Sequence, residues 1–174
     1  NANVSGFVSV DGHIICKSPN SVREPATGVG RAVVRVALNG QQFTATHIPF
    51  RFYEVVSVAQ VLPDYGTFKG GTEVTVSGEK YVETGEIACR FGVGAYDTTG
   101  VIGDYDTPGT VVADESSGTA VPAILCLTPT NFPQADTVTI EVALNGQQFT
   151  TNGLLFHFVA QVDEINPVRG PAKG

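Results

Sequence analysis

The sequence predicts an all-β protein built from tandem antiparallel β-sandwiches, and three observations lead there. Short segments alternate apolar and polar residues, and no window holds a sustained 3.6-residue period, so helix is expected to be almost absent. The 20 glycines and 10 prolines are scattered without collagen spacing, which suits many short strands joined by tight turns. Finally, the octapeptide Ala37-Leu38-Asn39-Gly40-Gln41-Gln42-Phe43-Thr44 returns unchanged as Ala143-Leu144-Asn145-Gly146-Gln147-Gln148-Phe149-Thr150, 106 residues on. That offset is about the length of one small β domain, so the chain reads as a stretch of a repeat array.

The repeat sits at a hairpin. Upstream of it, Val34-Arg35-Val36-Ala37-Leu38 and Val138-Thr139-Ile140-Glu141-Val142-Ala143-Leu144 alternate as strands with the aliphatic positions on one buried face. Asn39-Gly40 and Asn145-Gly146 are residues tolerant of positive φ and predict type I′ turns. Phe43 and Phe149 are expected to re-enter the core on the return strand. Phe50-Arg51-Phe52 and Phe156-His157-Phe158 then close each unit with two inward rings and one outward polar residue. Between the two copies, Val58–Pro63, Glu73–Gly78, Ile87–Gly92 and Ala120–Cys126 read as further strands, and Gly94 to about Gly118 as a polar, acidic stretch. This spacing describes a sandwich of about seven strands. Tyr53-Glu54-Val55-Val56-Ser57 is a short connection without glycine or proline, expected to be stiff.

Composition excludes several classes. A formal net charge of −7 argues against binding a phosphate backbone, so no nucleic-acid partner is expected. No apolar run in this segment is long enough to span a bilayer. No signal sequence is seen at residue 1, which reads as mid-domain, so a secretory signal is expected to lie outside this segment. The three cysteines, Cys16, Cys89 and Cys126, are an odd number, which means a free thiol or a partner elsewhere.

Pro63, Gly66, Gly70-Gly71-Thr72, Val74, Val76, Gly78 and Cys89-Arg90-Phe91-Gly92 resemble the opening half of an IPT/TIG domain. Cys126-x-x-Pro129, the alternating strand and the final Phe pair resemble its closing half. The resemblance implies an immunoglobulin-like sandwich without catalytic residues or cofactors of its own. It divides the chain into the C-terminal part of one such domain (1–56), a complete domain (57–159), and the first strand of a following domain or a donated strand (160–174). It also implies a disulfide between Cys89 and Cys126, with Cys16, the counterpart of Cys126, unpaired or paired outside this chain. The competing reading is three buried reduced cysteines in a cytosolic protein. Members of the family occur in plexin- and Met-like receptors, large surface proteins, carbohydrate-active enzymes and Rel-type transcription factors; the acidic balance disfavours the last.

Asn3-Val4-Ser5 is the N-glycosylation sequon. Ser18-Pro19, Thr107-Pro108 and Thr128-Pro129 are weaker candidates for attached sugars, with ordinary turn chemistry as the stronger reading. Asp97, Asp104, Asp106, Asp114 and Glu115 crowd one stretch, and Asp104 and Asp106 are weak candidates for calcium; a solvated acidic loop is the simpler account. Tyr96 and Tyr105 could make that stretch a ligand contact. The histidines are dispersed, and His157 should face outward. No nucleophile–base pair, zinc spacing or phosphate loop is present, so no enzyme is expected. The expected role is a structural repeat segment of an extracellular or cell-surface rod or fibril, glycosylated, whose partners are neighbouring copies or repeats of the same protein and glycans. The alternative is a binding module of a receptor ectodomain or adhesin recognising a protein or glycan. An accessory domain of a carbohydrate-active enzyme is a third reading.

Overall fold

The computed structural model describes residues 2–19, 30–92, 104–114, 120–130, 132–161, 164, 166 and 168–172. Its described elements are all strands: β1 (Gly6–Val8), β2 (Ile14–Cys16), β3 (Gly30–Val34), β4 (Ile48–Phe52), β5 (Ser57–Leu62), β6 (Tyr65–Thr67), β7 (Glu73–Glu79), β8 (Ala88–Gly92), β9 (Tyr105–Asp114), β10 (Val121–Leu127), β11 (Asp136–Ala143) and β12 (Leu154–Val159). The chain divides into two compact units, Asn1–Glu54 and Val55–Gly174.

The second unit holds eight strands in the order β5-β7-β10-β9-β8-β11-β12-β6. Pairing is antiparallel except for β6, which runs parallel to β12. The sequence reading expected about seven strands because β5 and β6 look like one. Pro63, which has no N–H to donate, ends β5 on one sheet, and the chain resumes as β6 on the edge of the other. Similarly, the stretch read as a polar loop contains β9, whose Pro108-Gly109 interruption and acidic ends disguise it. β9 joins the two sheets. Tyr105–Pro108 pair with β8, and Gly109–Asp114 pair with β10. The change of sheet falls at Gly109, where a Cβ would stand 2.9 Å from Ile87 and 3.0 Å from Ile124. A glycine lets the strand cross tightly over its neighbours there.

The core lies between the sheets. Val74, Val76, Ile124 and Cys126 from one side meet Cys89, Phe91, Val138, Ile140, Val142, Phe156 and Phe158 from the other, all buried. Their period-2 spacing is the one read from the sequence. Phe91 packs edge-on against Phe156 at 5.5 Å, and Phe132 stacks on Phe158 at 4.1 Å. The Gly70-Gly71-Thr72 turn clamps the end of β10. Gly70 has φ +83° and presses against the carbonyl of Pro129, where any side chain would collide. Thr72 N–H donates to the Thr128 hydroxyl at 2.9 Å, and Thr128 N–H donates to Thr72 O at 2.9 Å.

Tyr81 is also buried. Its hydroxyl lies against Gly78 and has no hydrogen-bond partner among the described residues. Burial pushes this phenol from the ordinary 10.0 up to about 12. The raised value means the folded state favours the neutral form, so this contribution to stability is complete below about pH 10 and is lost as pH rises toward 12. A phenolate absorbance titration should show one tyrosine ionising late, together with alkaline unfolding. In Tyr81→Phe that late step should vanish, with stability at pH 7 unchanged or slightly raised, because a buried unpaired hydroxyl is removed.

The first unit contains two two-stranded sheets, β1-β2 and β3-β4. They mirror β9-β10 and β11-β12. Gly6 pairs with Cys16 as Gly109 pairs with Cys126, and the Phe50–Phe52 strand repeats Phe156–Phe158. The repeated loop is built identically in both units, but it is not the two-residue type I′ turn expected. Such a turn needs positive φ at both central residues, and only the glycines have it, Gly40 at 70° and Gly146 at 64°. Instead Asn39 Oδ1 accepts from the amides of Gln41 and Gln42, both at 3.0 Å, and Asn145 Oδ1 from Gln147 and Gln148 at 3.2 and 3.1 Å. The wider loop closes through Thr44 N–H to Val36 O and Thr150 N–H to Val142 O. That geometry keeps Phe43 and Phe149 out of the core: Phe43 is exposed and Phe149 half-buried.

Beyond Val159 no described residue lies in a strand, while Val162, Asp163, Ile165, Pro167, Lys173 and Gly174 lie outside the described residues.

Candidate functional site

Among the described residues, a densely bonded side-chain cluster lies on the outer face of β8, β9 and β11. Alternation along Cys89-Arg90-Phe91 turns the flanking residues into the core and Arg90 outward. Register then sets Arg90 opposite Asp106 on β9 and Glu141 on β11. The guanidinium donates to both carboxylate oxygens of Asp106, at 2.8 and 2.9 Å, and lies 3.2 Å from Asp104. Its carbon sits 3.8 Å above the ring of Phe149. Hydrogen bonding to Asp106 raises the Arg90 pKa above its ordinary value; partial burial opposes this, and the charges of Asp106 and Asp104 add to it. Beside this group Glu141 accepts from the Thr150 hydroxyl and, at 2.7 Å, from the Gly153 amide. The cluster ties the repeated loop to the strands beneath it.

Asp104 and Asp106, weak calcium candidates, are thus brought together around a guanidinium that compensates their charge. Among the described residues no group of three or more His, Cys, Asp or Glu side chains is placed to hold a metal ion. Asp114 accepts from Ser77 at 2.9 Å. Asp97, Glu115 and Tyr96 lie outside the described residues, and Tyr105 packs on Phe132 at 5.0 Å. His157 faces outward, with Nδ1 2.9 Å from Thr137 Oγ1. Sequence reasoning missed the Arg90 cluster because its partners lie far along the chain, on and just before β9, on β11 and in the loop after it. The outward place of Arg90 between two core residues was the available signal.

Cys89 and Cys126 are joined by a disulfide that bridges β8 and β10, with Cα atoms 6.4 Å apart. Cys16 is an exposed free thiol. Asn3, Val4 and Ser5 are exposed, so the sequon is open to a glycosyltransferase. Ser18 is exposed as well. Three weaker sugar candidates are corrected. Thr128 and Pro129 are buried, the Thr128 hydroxyl being used by the Thr72 amide, and the Thr107 hydroxyl is buried; none can carry a sugar in the folded domain. Pro108 is exposed. A surface groove of about 310 Å³ along the β9–β10 hairpin is lined by Val111, Val112, Ala113, Ala120, Val121 and Pro122. These side chains bring no acid, base or nucleophile to it.

Two sheets sharing a kinked strand, a buried inter-sheet disulfide and an edge strand parallel to the last define an immunoglobulin-like β-sandwich. The model of the IPT/TIG domain family matches residues 57–158, and the chain belongs to that family. No curated protein matches it. Among solved structures, two of the full extracellular region of plexin A4, one with domains 1 to 8 and one with domains 1 to 10, are each 18% identical to it. They cover 91% and 92% of this chain, with TM-scores of 0.43 and 0.47. The chain spans 14% and 12% of their lengths.

Proposed function

We propose that this chain is a load-carrying segment of an extracellular or cell-surface rod or fibril, in which IPT/TIG sandwiches follow one another in line. The observation that carries this reading is the second use of one building plan. The Asn-Gly loop occurs in both units with the same Asn side-chain bonds and the same threonine-amide closure, and the Phe-x-Phe strand with the same register against the strand before the loop. Repeats of this kind contact mainly their neighbours and so assemble linearly. In this reading residues 1–56 are the closing part of one domain, 57–159 a complete domain, and 160–174 the start of the next or a donated strand. The partners are adjoining copies or repeats. The buried disulfide supports an oxidising compartment, and the exposed sequon supports a glycan on Asn3.

Electron microscopy and sedimentation of the native glycoprotein test the reading. Filaments with a repeat of one domain, and a mass loss at Asn3 on enzymatic removal of N-glycans, are expected. A particle that stays monomeric at high concentration and instead captures a foreign protein or glycan would replace the rod with the receptor or adhesin module.

A further inference from the structure

The inner face of the first unit carries apolar counterparts of the core residues of the second, yet it stands open. Leu38 is 85% exposed where Leu144 is 0%; Phe50 is 40% exposed where Phe156 is 0%. Ile14 and Val34 are likewise exposed where Ile124 and Ile140 are buried. Cys16 is free where Cys126 is bonded. In the second unit this face is closed by β7 and β8. Cys89 bonds Cys126, Phe91 packs on Phe156, and the Gly70 turn seats on Pro129. Pro19 stands in the first unit, three residues after Cys16, as Pro129 stands after Cys126.

We infer that this face is the docking surface for the opening half of another IPT/TIG domain, whose central strand reads Cys-acidic-Phe and whose cysteine bonds Cys16. This inference rests on the tandem reading above. The acidic residue follows from charge. In the second unit Arg90 lies directly opposite Glu141, but the first unit has Arg35 at the position of Glu141. Like charges directly opposite on neighbouring strands repel, and opposite charges attract. The same argument rules out the Cys89–Phe91 strand of a second copy of this chain as that cover. Its own Cys89 is already bonded, its Phe91 is fully buried, and its Arg90 would face Arg35. Bond formation is a two-electron oxidation. The two thiols give two protons and two electrons to a small disulfide such as oxidised glutathione, which leaves as two thiols.

The test uses the full 174-residue chain with a second copy of residues 57–103 placed directly ahead of position 1. One form keeps the copy's arginine, one carries R90E in the copy, and one keeps that arginine but carries R35E. After oxidation with glutathione, peptide mapping should find Cys16 joined to the copy's cysteine in the two charge-matched forms. Alkylation of Cys16 should slow at least about 100-fold relative to the unfused chain. The matched forms should bond roughly two- to fivefold more completely than the unmatched one at limiting oxidant. Unchanged Cys16 alkylation in all three overturns the docking surface, and so does aggregation of all three, since a cover removes apolar surface. Equal bonding in all three overturns the acidic assignment. Retention of the Cys89–Cys126 peptide reports that the second unit has folded. Because the cover forms within one molecule, these results do not depend on whether the native protein makes filaments.

Discussion

Phe156→Ala should destabilise the second unit by about 3–5 kcal/mol, while Phe50→Ala at the equivalent position of the repeat should cost this chain less than about 1 kcal/mol. Phe156 is completely buried, with Phe91 and Phe158 rings at 5.5 and 5.1 Å. Removing it deletes apolar burial, leaves a cavity between rigid sheets and ends two edge-to-face contacts. Phe50 stands in the same Phe-x-Phe pattern but has only one ring partner among the described residues, Phe52 at 4.9 Å, and is 40% exposed. A typical domain has about 5–15 kcal/mol in total, so the first substitution should move the urea midpoint severely and the second hardly at all. Tyrosine fluorescence follows the transition, because Tyr65, Tyr81 and Tyr105 lie in the second unit. Equal effects at the two positions would mean that the open face of the first unit is not open in solution.

The pair also marks what could be read in advance. Phe50 and Phe156 share one sequence pattern, and alternation assigns both inward. Whether an inward ring is buried depends on a second sheet, which is a long-range fact that no local pattern holds. The same limit explains Arg90, whose outward place was legible while its three partners were not. Local chemistry also misled in two places. Asn-Gly reads as a tight turn, but the Asn side chain competes for the next amides and opens a wider loop. Pro108-Gly109 reads as loop chemistry, although a strand that changes sheets needs such residues at its corner. The family resemblance gave the Cys89–Cys126 pairing correctly because it carried three-dimensional information that spacing alone lacks.

Replacing both bridging cysteines by alanine should cost about 3–4 kcal/mol, the value expected in the chain-entropy model for freeing the loop that the disulfide closes. The residues it joins are 37 apart, and that loop contains β9, which belongs to both sheets. Without the bond the unfolded chain gains freedom, and in the folded unit β8 and β10 are held to each other through β9 and the packing of the core between the sheets. A reductant titration distinguishes this effect from simple loss of sulfur packing. The native chain should lose most of that stability in excess dithiothreitol, whereas the double alanine form should show one urea midpoint with or without it. If dithiothreitol leaves the native midpoint unmoved under conditions where mass spectrometry shows both thiols free, the bond is not a stabilising element. A sandwich that depends on its bridge for roughly a third of a typical domain's stability would be weakened in a reducing compartment and secure in an oxidising one. The reductant response therefore bears on location as well as on folding, and a large one would favour placing the protein outside the cell.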